Sequence, residues 1–410
     1  MYTLKNKYVF FAAFVAVLSA VTFYYFPVLV AACASLITIP FLNARNYRVV
    51  AAIFSLFFLF FGMAMDPVSY VGDYSRYYLS FYRPLEELLF LGKVYRYSLF
   101  SLLSHLEMEP QLYTGLSLFL NYSINLIITL KFSKLIRGHG SKKLIYSFLL
   151  TLIVLPSTAI GNFESMLAFT LLYACLYFLC VDKKLKAIFF LTLAPIVHPA
   201  AIPISMLLIP ATISFGWFSK SKYLLTSLAV IALASFTLVP LDFFSPFVGH
   251  LQRKFVLFLH GPWSEYIDRR DYELLIIAFI KSTLFYFITY RMSSLKEALS
   301  QPIYRLYAIS MYLFPILLLA ISSRTLLERY LYFGMIFYIP LIIASLELFR
   351  KKLNRYFVIS LACLIFLLPQ NIIVFGVVFT KSYTQETLSA NLFELFNLEY
   401  SRARDPVGRI

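Results

Sequence analysis

Residues 163–181 read FESMLAFTLLYACLYFLCV, an apolar run whose one charged side chain, Glu164, stands at its start. The run is close to the length that a helix needs to cross the hydrocarbon core of a bilayer. Because a soluble domain rarely contains so long an uncharged segment, this stretch predicts a membrane-spanning α-helix.

Runs of the same kind recur along the chain. They lie at about 8–25, 27–42, 47–65, 112–130, 144–160, 223–239, 274–290, 303–322, 330–348 and 356–375. A longer stretch, 187–218, is interrupted by four prolines and predicts either one kinked helix or a hairpin of two passes. We therefore expect an all-α polytopic integral membrane protein of about 12 or 13 transmembrane helices, with two larger external loops.

The composition agrees with a membrane protein, since 61% of the 410 residues are hydrophobic and only 14% are charged. The net charge of +16 gives little reason to expect nucleic-acid binding, because Lys and Arg collect in the cytoplasmic loops of membrane proteins. The four cysteines lie in apolar runs without the spacing of metal ligands. We expect neither a disulfide framework nor a metal site.

The basic residues predict the orientation. Seven short connections carry them, near residues 5–7, 45–48, 131–143, 183–186, 220–222, 291–296 and 350–355. These connections can all be cytoplasmic only if the proline-broken stretch forms a hairpin. The loops at about 66–110 and 241–273 are then external. We expect one transmembrane domain over residues 1–379 and an amphipathic tail over 380–410.

Residues 66–110 are charged and rich in tyrosine, in contrast to the apolar runs beside them. Within them Gly72-Asp73-Tyr74-Ser75-Arg76-Tyr77-Tyr78 combines a turn residue, an acid and aromatic side chains, a set that suits a hydroxylated ligand at the membrane face. The alternative is a solvated loop in which Asp73 caps a short helix.

His198 lies in an apolar run next to Pro199. An ionisable group within a membrane is costly and usually faces a cavity or a polar partner, which favours a functional role. A core histidine that bonds a carbonyl freed near Pro195 is the alternative.

Two arginines, Arg324 and Arg329, lie in a short link on the predicted external side. Guanidinium groups bind phosphate in a bidentate manner and stay charged, so this pair predicts an anion clamp. A local Arg324–Glu328 pair would explain only one of them. In the second external loop, Arg253 suits an anionic head group and Trp263 a sugar ring, although most charges of that loop are solvated.

These motifs together resemble those of the bacterial Wzy-type polysaccharide polymerases, and most of all the EpsG-like branch. The resemblance rests on the Gly72-Asp73-Tyr74 loop, the intramembrane His198-Pro199, the late Arg324 and Arg329-Tyr330, and the number of apolar runs. The sequence departs from that family at the start of the run at 163–181. The family commonly has an Arg-Gln pair there, whereas this chain has Asn162-Phe163-Glu164-Ser165. That departure makes Glu164 a candidate acid or base.

The resemblance implies a glycosyltransferase-C-like helical bundle in the bacterial inner membrane. It implies a metal-independent transferase without a cofactor, which moves a glycan from a polyprenyl pyrophosphate to the non-reducing end of a second lipid-linked repeat unit at the periplasmic face. Implied partners are membrane lipid, the polyprenyl-pyrophosphate-linked oligosaccharide, a chain-length regulator and a flippase.

The roles that follow from the resemblance fall into three groups. The candidate acid or base residues are Asp73, His198 and Glu164; the candidate pyrophosphate ligands are Arg324, Arg329 and Arg253; and the candidate glycan contacts are Tyr74, Arg76, Tyr77, Tyr78 and Trp263. The main alternative is a flippase or another polytopic transporter, against which the absence of an internal repeat counts. An O-acyltransferase that uses His198 is a further alternative.

Overall fold

The computed structural model describes most of the predicted helical core. The described residues are 17–65, 74–90, 92–136, 141–154, 162–221, 299–319, 334–348 and 385–397, with single residues at 256, 272, 275, 276, 323 and 330. Every regular element within these residues is helical, which confirms the all-α prediction for this part of the chain.

The described helices range from 5 residues in the shortest to 25 in the longest. The first eight are α1 (Pro27–Thr38), α2 (Tyr47–Met63), α3 (Tyr74–Phe81), α4 (Glu86–Phe90), α5 (Val94–His105), α6 (Gln111–Leu135), α7 (Ser141–Val154) and α8 (Phe163–Cys180). The later ones are α9 (Lys184–Val197), α10 (Ile202–Ile213), α11 (Phe215–Ser221), α12 (Gln301–Leu319), α13 (Ile339–Leu348), α14 (Gln385–Ser389) and α15 (Leu392–Asn397). Short 3₁₀ turns occur at Ile39–Phe41, Pro199–Ala201 and Met335–Tyr338, and residues 17–25 are also helical.

Helix α8 is the centre of the bundle. Its sequence is apolar on every side, and 94% of its membrane-length window is buried by other helices. Its observed bounds agree with the predicted run at 163–181. The helix stops in a Schellman motif, in which Lys183 N–H donates to the Phe178 carbonyl at 2.8 Å while Asp182 adopts a φ of 59°.

Helices α2 and α6 pack closely because two glycines face each other across them. A Cβ atom on Gly115 would stand 2.7 Å from the Leu59 carbonyl oxygen, and one on Gly62 would stand 2.8 Å from the Gly115 Cα. Small residues at a crossing point allow two backbones to approach, as is common between membrane helices. Helix α6 then also packs against α8.

The proline-broken stretch is a hairpin of α9 and α10. Lys184 Nζ at the start of α9 donates to the Ile213 carbonyl at the end of α10, at 3.1 Å. In a straight helix these residues would be about 44 Å apart, so the chain turns back on itself, at the 3₁₀ turn Pro199–Ala201. The chain reversal of the predicted hairpin is therefore observed, while its two membrane passes stay a prediction.

Among the helices that the structure describes, α6 and α8 are long and apolar enough to cross a membrane. A third span results if Pro199–Ile213 and α11, which meet at a bend of 116°, are counted together. Four other apolar helices among the described residues have only 10–17 residues, namely Pro27–Phe41, Tyr47–Met63, Lys143–Leu152 and Ile336–Ser345. The predicted runs at 223–239 and 356–375, and nearly all of 274–290, lie outside the described residues, so the count of 12 or 13 stays a prediction.

The predicted amphipathic tail contains two short helices, α14 and α15. Asn391 caps α15, since its Oδ1 accepts from Glu394 N–H at 2.9 Å while Glu394 Oε2 accepts from Asn391 N–H at 2.8 Å. Leu395 is buried against α2 and α6, whereas Phe393 is exposed. The described part of the tail therefore packs on the bundle through one apolar face.

Candidate functional site

A buried ion pair marks one end of the bundle, which we call the aromatic end. Glu164 in the first turn of α8 accepts hydrogen bonds from Arg96 on α5, with Nε–Oε1 at 2.7 Å and Nη2–Oε2 at 2.8 Å. Only 1% of Glu164 and 6% of Arg96 is exposed. This bidentate geometry is the strongest that a guanidinium and a carboxylate can form, so each charge compensates the other in an apolar setting.

Two further groups surround the carboxylate. The Tyr113 hydroxyl at the start of α6 donates to Glu164 Oε1, and Lys93 Nζ lies 4.0 Å from Oε2. Burial opposes the charge on Arg96, but the Glu164 carboxylate beside it raises the pKa of Arg96, so the guanidinium stays charged. Helices α5, α6 and α8 thus meet at one hydrogen-bonded centre.

Local chain geometry places Lys93 and Arg96 there. Gly92 has a φ of 68°, which glycine adopts without strain, and it ends α4 in a Schellman motif closed by a 2.7 Å bond from Lys93 N–H to the Leu88 carbonyl. Helix α5 begins immediately afterwards at Val94. The turn therefore directs the first residues of α5 toward the start of α8.

Aromatic rings cover the ion pair. The Tyr77 ring on α3 lies 4.0 Å from the Arg96 guanidinium carbon and 5.0 Å from the Phe163 ring. The Tyr113 ring lies 5.5 Å from Phe163 and 4.8 Å from Phe100. A cation stacked on an aromatic face gains attraction that is larger when water is excluded. Helix α3, which follows the Gly72-Asp73 motif, is in this way fixed over the pair.

A second tyrosine contact joins the region of α3 to the end of the stretch 66–110. The Tyr82 hydroxyl lies 3.2 Å from the Tyr78 hydroxyl and 3.0 Å from Glu109 Oε2. Burial, Tyr78 and Glu109 together raise the pKa of Tyr82, so this phenol stays protonated. Two points of the loop, at Tyr77 and at Tyr82, are thus anchored to the bundle.

A buried polar stripe on α6 continues from the aromatic end along the bundle. Asn121 Nδ2 donates to the Phe163 carbonyl at 3.0 Å, and Thr170 Oγ1 donates to Asn121 Oδ1 at 2.8 Å. Asn125 Nδ2 donates to Thr170 Oγ1 at 2.6 Å. Because hydrocarbon offers no alternative partners, these bonds fix the register of α6 against α8.

His198 lies at the tip of the α9–α10 hairpin. Its Nδ1 accepts from Ala200 N–H at 3.1 Å, which caps the 3₁₀ turn. The Tyr330 hydroxyl donates to the Ala200 carbonyl at 2.8 Å, and the Tyr330 ring lies 5.6 Å from Phe169 on α8. The last residue of the arginine motif is thus packed against both the hairpin tip and the central helix.

The structure describes part of the predicted site. Glu164 and Tyr77 meet at the aromatic end, while His198 lies further along α8 at the hairpin tip. Tyr77 and Tyr78 are only 5% and 2% exposed, so a glycan would reach them only after movement of α3. For Tyr74 and Arg76 the structure describes the helical backbone alone. Asp73, Arg253, Trp263, Arg324 and Arg329 lie outside the described residues, and all the assigned roles stay predictions.

Three residues of this site were not predicted: Lys93, Arg96 and Tyr113. The signal for them was Glu164 itself, because a carboxylate at the start of an apolar helix needs a cationic partner. Arg96 was one of several cations in the 66–110 stretch. Nothing in the local pattern singles it out, since it is 68 residues away along the chain.

Comparison with known proteins gives no relative. No family model, no curated protein and no solved structure matches this chain.

Proposed function

We propose that the protein is a polymerase of lipid-linked oligosaccharides in the bacterial inner membrane, working at the aromatic end of the bundle. The donor is a glycan on polyprenyl pyrophosphate, and the acceptor is the non-reducing end of another lipid-linked repeat unit. The acceptor oxygen forms a bond to the anomeric carbon, the bond from that carbon to pyrophosphate breaks, and a base takes the acceptor proton.

One observation carries the proposal. Tyr77 holds the helix that follows Gly72-Asp73 directly over the buried Arg96–Glu164 pair, with the ring 4.0 Å from the guanidinium. The described end of the motif that suits a hydroxylated ligand, at Tyr77, therefore packs on a charge-compensated ion pair. A reacting group gains most from such packing when its geometry is fixed before the substrate binds.

The geometry bears on the choice of base. His198 Nδ1 already accepts a backbone hydrogen bond, so in the neutral ring the proton is on Nε2 and neither nitrogen offers a lone pair. The oxygens of Glu164 accept from Arg96 and Tyr113. These contacts favour Asp73 as the base, with Glu164 and His198 as groups that position the site.

The contacts of the arginines also decide which of them we propose as ligands of the pyrophosphate. The guanidinium of Arg96 is engaged with Glu164, so it has little capacity left for a phosphate. The clamp is therefore assigned to Arg324, Arg329 and Arg253. Tyr330, which follows Arg329 directly, packs against Phe169 on α8, and this contact supports the assignment. A glycosyltransferase-C-like arrangement of about 12 spans would provide this site with a membrane-facing lipid entrance.

An in vitro assay tests the proposal. Purified protein is incubated with a lipid-linked repeat unit in the presence of a chelator, and products are separated on a gel. We expect a ladder of glycan lengths that disappears in Asp73→Asn and Arg324→Ala. An Arg45→Ala variant, which removes an exposed arginine elsewhere, is the matched control and retains the ladder. A folded wild-type protein that gives no ladder would overturn the proposal.

A second candidate is a flippase or another transporter, and the polar stripe of α6 favours it. Within the described residues, Thr114 Oγ1, Tyr122 OH, Asn125 Oδ1 and Ser133 Oγ are buried and have no hydrogen-bond partner. Such groups on one membrane-length helix suit a path for water or a polar substrate. Movement of labelled repeat units across proteoliposomes, without a ladder, would support this candidate instead.

A further inference from the structure

A cluster of four cations occupies the opposite end of the bundle, which we call the basic end. The first two share one aromatic ring. Lys134 Nζ at the end of α6 lies 3.8 Å from the centroid of the Tyr47 ring, and the Arg48 guanidinium carbon lies 5.7 Å from it. Lys134 also donates to the Ala44 carbonyl at 2.7 Å, which joins the end of α6 to the turn before α2.

The other two cations share a second ring. Lys131 Nζ and Lys186 Nζ lie 5.9 Å and 5.8 Å from the centroid of the Phe178 ring on α8. Lys131 is also 5.5 Å from the Tyr177 ring. Four helices, α2, α6, α8 and α9, thus contribute to one surface. We call Arg48, Lys131, Lys134 and Lys186 the cation cluster.

The two halves of the cluster adjoin. Lys131 and Lys134 are three residues apart on α6, so their side chains leave the same face of that helix. Lys131 contacts the Tyr177 ring and Lys134 contacts the Tyr47 ring. The positive-inside rule accounts for basic residues on one side of a membrane, but it does not require them to converge on shared rings.

Among the described residues, no carboxylate compensates the charge of the cluster. In the described part of the chain none of the four cations forms an ion pair, and the nearby Asp182 is paired instead with Arg305 at 3.5 Å. Aromatic faces offset only part of the repulsion among neighbouring cations. An anion bound at the surface would offset the rest.

The surroundings indicate the kind of anion. Apolar side chains beside the cluster are exposed, including Val49 at 60%, Leu185 at 86% and Phe189 at 59%. Val49 follows Arg48 directly, and Leu185 precedes Lys186. Exposed apolar groups next to cations match the two parts of a lipid, an acyl chain and a phosphate.

We propose that the cation cluster binds the phosphate of an anionic membrane lipid, whose acyl chains lie on the exposed apolar residues of α2 and α9. The lipid joins four helices at the basic end and stabilises their packing. The site is separate from the aromatic end, so it does not depend on the function proposed there.

Thermal unfolding of the full-length protein in a mild detergent tests this site. Phosphatidylglycerol, phosphatidylcholine with the same acyl chains, or inorganic phosphate is added at equal concentration. We expect phosphatidylglycerol alone to raise the unfolding midpoint of the wild type. In a Lys131→Gln/Lys186→Gln variant we expect that rise to fall to about half or less, since two of four contacts are lost.

The control carries the same change in net charge. Arg45→Gln/Lys220→Gln removes two exposed cations outside the cluster and should keep the full rise. An equal loss in both variants would mean a general charge effect, and an equal rise with inorganic phosphate would mean a free-anion site; either result overturns the proposal. If the Lys131 and Lys186 double variant does not fold, Lys186→Gln alone is compared with Lys220→Gln. An equal loss of the rise in both, or an equal rise with inorganic phosphate, again overturns the proposal.

Discussion

The two ends of the bundle use the same residue types in opposite ways. At the aromatic end, Arg96 is buried, stacked on Tyr77 and paired with Glu164. At the basic end, Lys134 is exposed, stacked on Tyr47, and bonded to a backbone carbonyl. A paired buried charge fixes structure, whereas an unpaired exposed charge is available to a ligand. The difference predicts which substitutions unfold the protein and which only change what it binds.

Loss of Arg96 should have the largest effect. Arg96→Leu leaves the Glu164 carboxylate buried without its partner, so we expect a loss of about 3–5 kcal/mol in the free energy of unfolding. Denaturation in detergent micelles measures it. The control is Arg305→Leu, because the carboxylate that it leaves without a cation, Asp182, is 64% exposed and stays in contact with water. Loss of that ion pair should cost about 0–1 kcal/mol.

The double variant Arg96→Leu/Glu164→Leu sharpens this prediction. It removes the uncompensated carboxylate together with the cation, so it should recover much of the stability lost in Arg96→Leu alone. Equal losses in the Arg96 and Arg305 variants would show that the two ends do not differ in the way described.

Close packing of α2 against α6 gives the next largest effect. A valine at Gly115 would place its Cβ 2.7 Å from the Leu59 carbonyl oxygen, a contact that the backbone cannot relieve easily. We expect Gly115→Val to destabilise by about 1–3 kcal/mol. Gly216→Val is the control, since a Cβ there meets no atom within 4 Å. A small effect at both glycines would contradict the close crossing.

The polar bonds between α6 and α8 should contribute less than the ion pair. A double-mutant cycle of Asn121→Ala and Thr170→Ala isolates their 2.8 Å hydrogen bond. We expect a coupling energy of about 0.6 kcal/mol, as is usual for hydrogen bonds between membrane helices. A coupling as large as that of Arg96 with Glu164 would remove the distinction between the stripe and the ion pair.

An effect as small as that of the hydrogen bond between α6 and α8 is expected at the basic end. Lys134→Gln loses the contact with Tyr47 and the bond to the Ala44 carbonyl, so we expect a decrease of about 0.5–1 kcal/mol without added lipid. Because the side chain is exposed, the loss should shrink as salt is added. A decrease that salt leaves unchanged would indicate a buried contact instead.

Sequence patterns predicted the helices better than their contacts. The run at 163–181 matches α8, and the run at 112–130 lies within α6, whose bounds are Gln111–Leu135. The difference at α6 arises because hydropathy falls at Lys131 and Lys134 while the helix continues, with both side chains on aromatic rings. Charge ends a hydrophobic run without ending a helix.

The candidate site was predicted only in part, for a physical reason. Glu164 was identifiable because its charge is out of place in an apolar segment. The residues around it, Arg96 and Tyr113, reach it only through the packing of α5 and α6 against α8, which local periodicity does not encode. The same holds for the hairpin. The prolines of residues 187–218 indicated a break, but only the contact of Lys184 with Ile213 shows that the chain reverses there instead of continuing as one kinked helix.

That hairpin has a consequence for how the chain is threaded through a bilayer. Its arms have 14 and 12 residues, so they are about 21 and 18 Å long and shorter than a hydrocarbon core of about 30 Å. We therefore expect the hairpin to enter and leave the bilayer by the same face, so that the chain lies on the same side of the membrane before and after it. Reporters placed next to Lys183 and Ser221 should be labelled from one and the same side of the membrane.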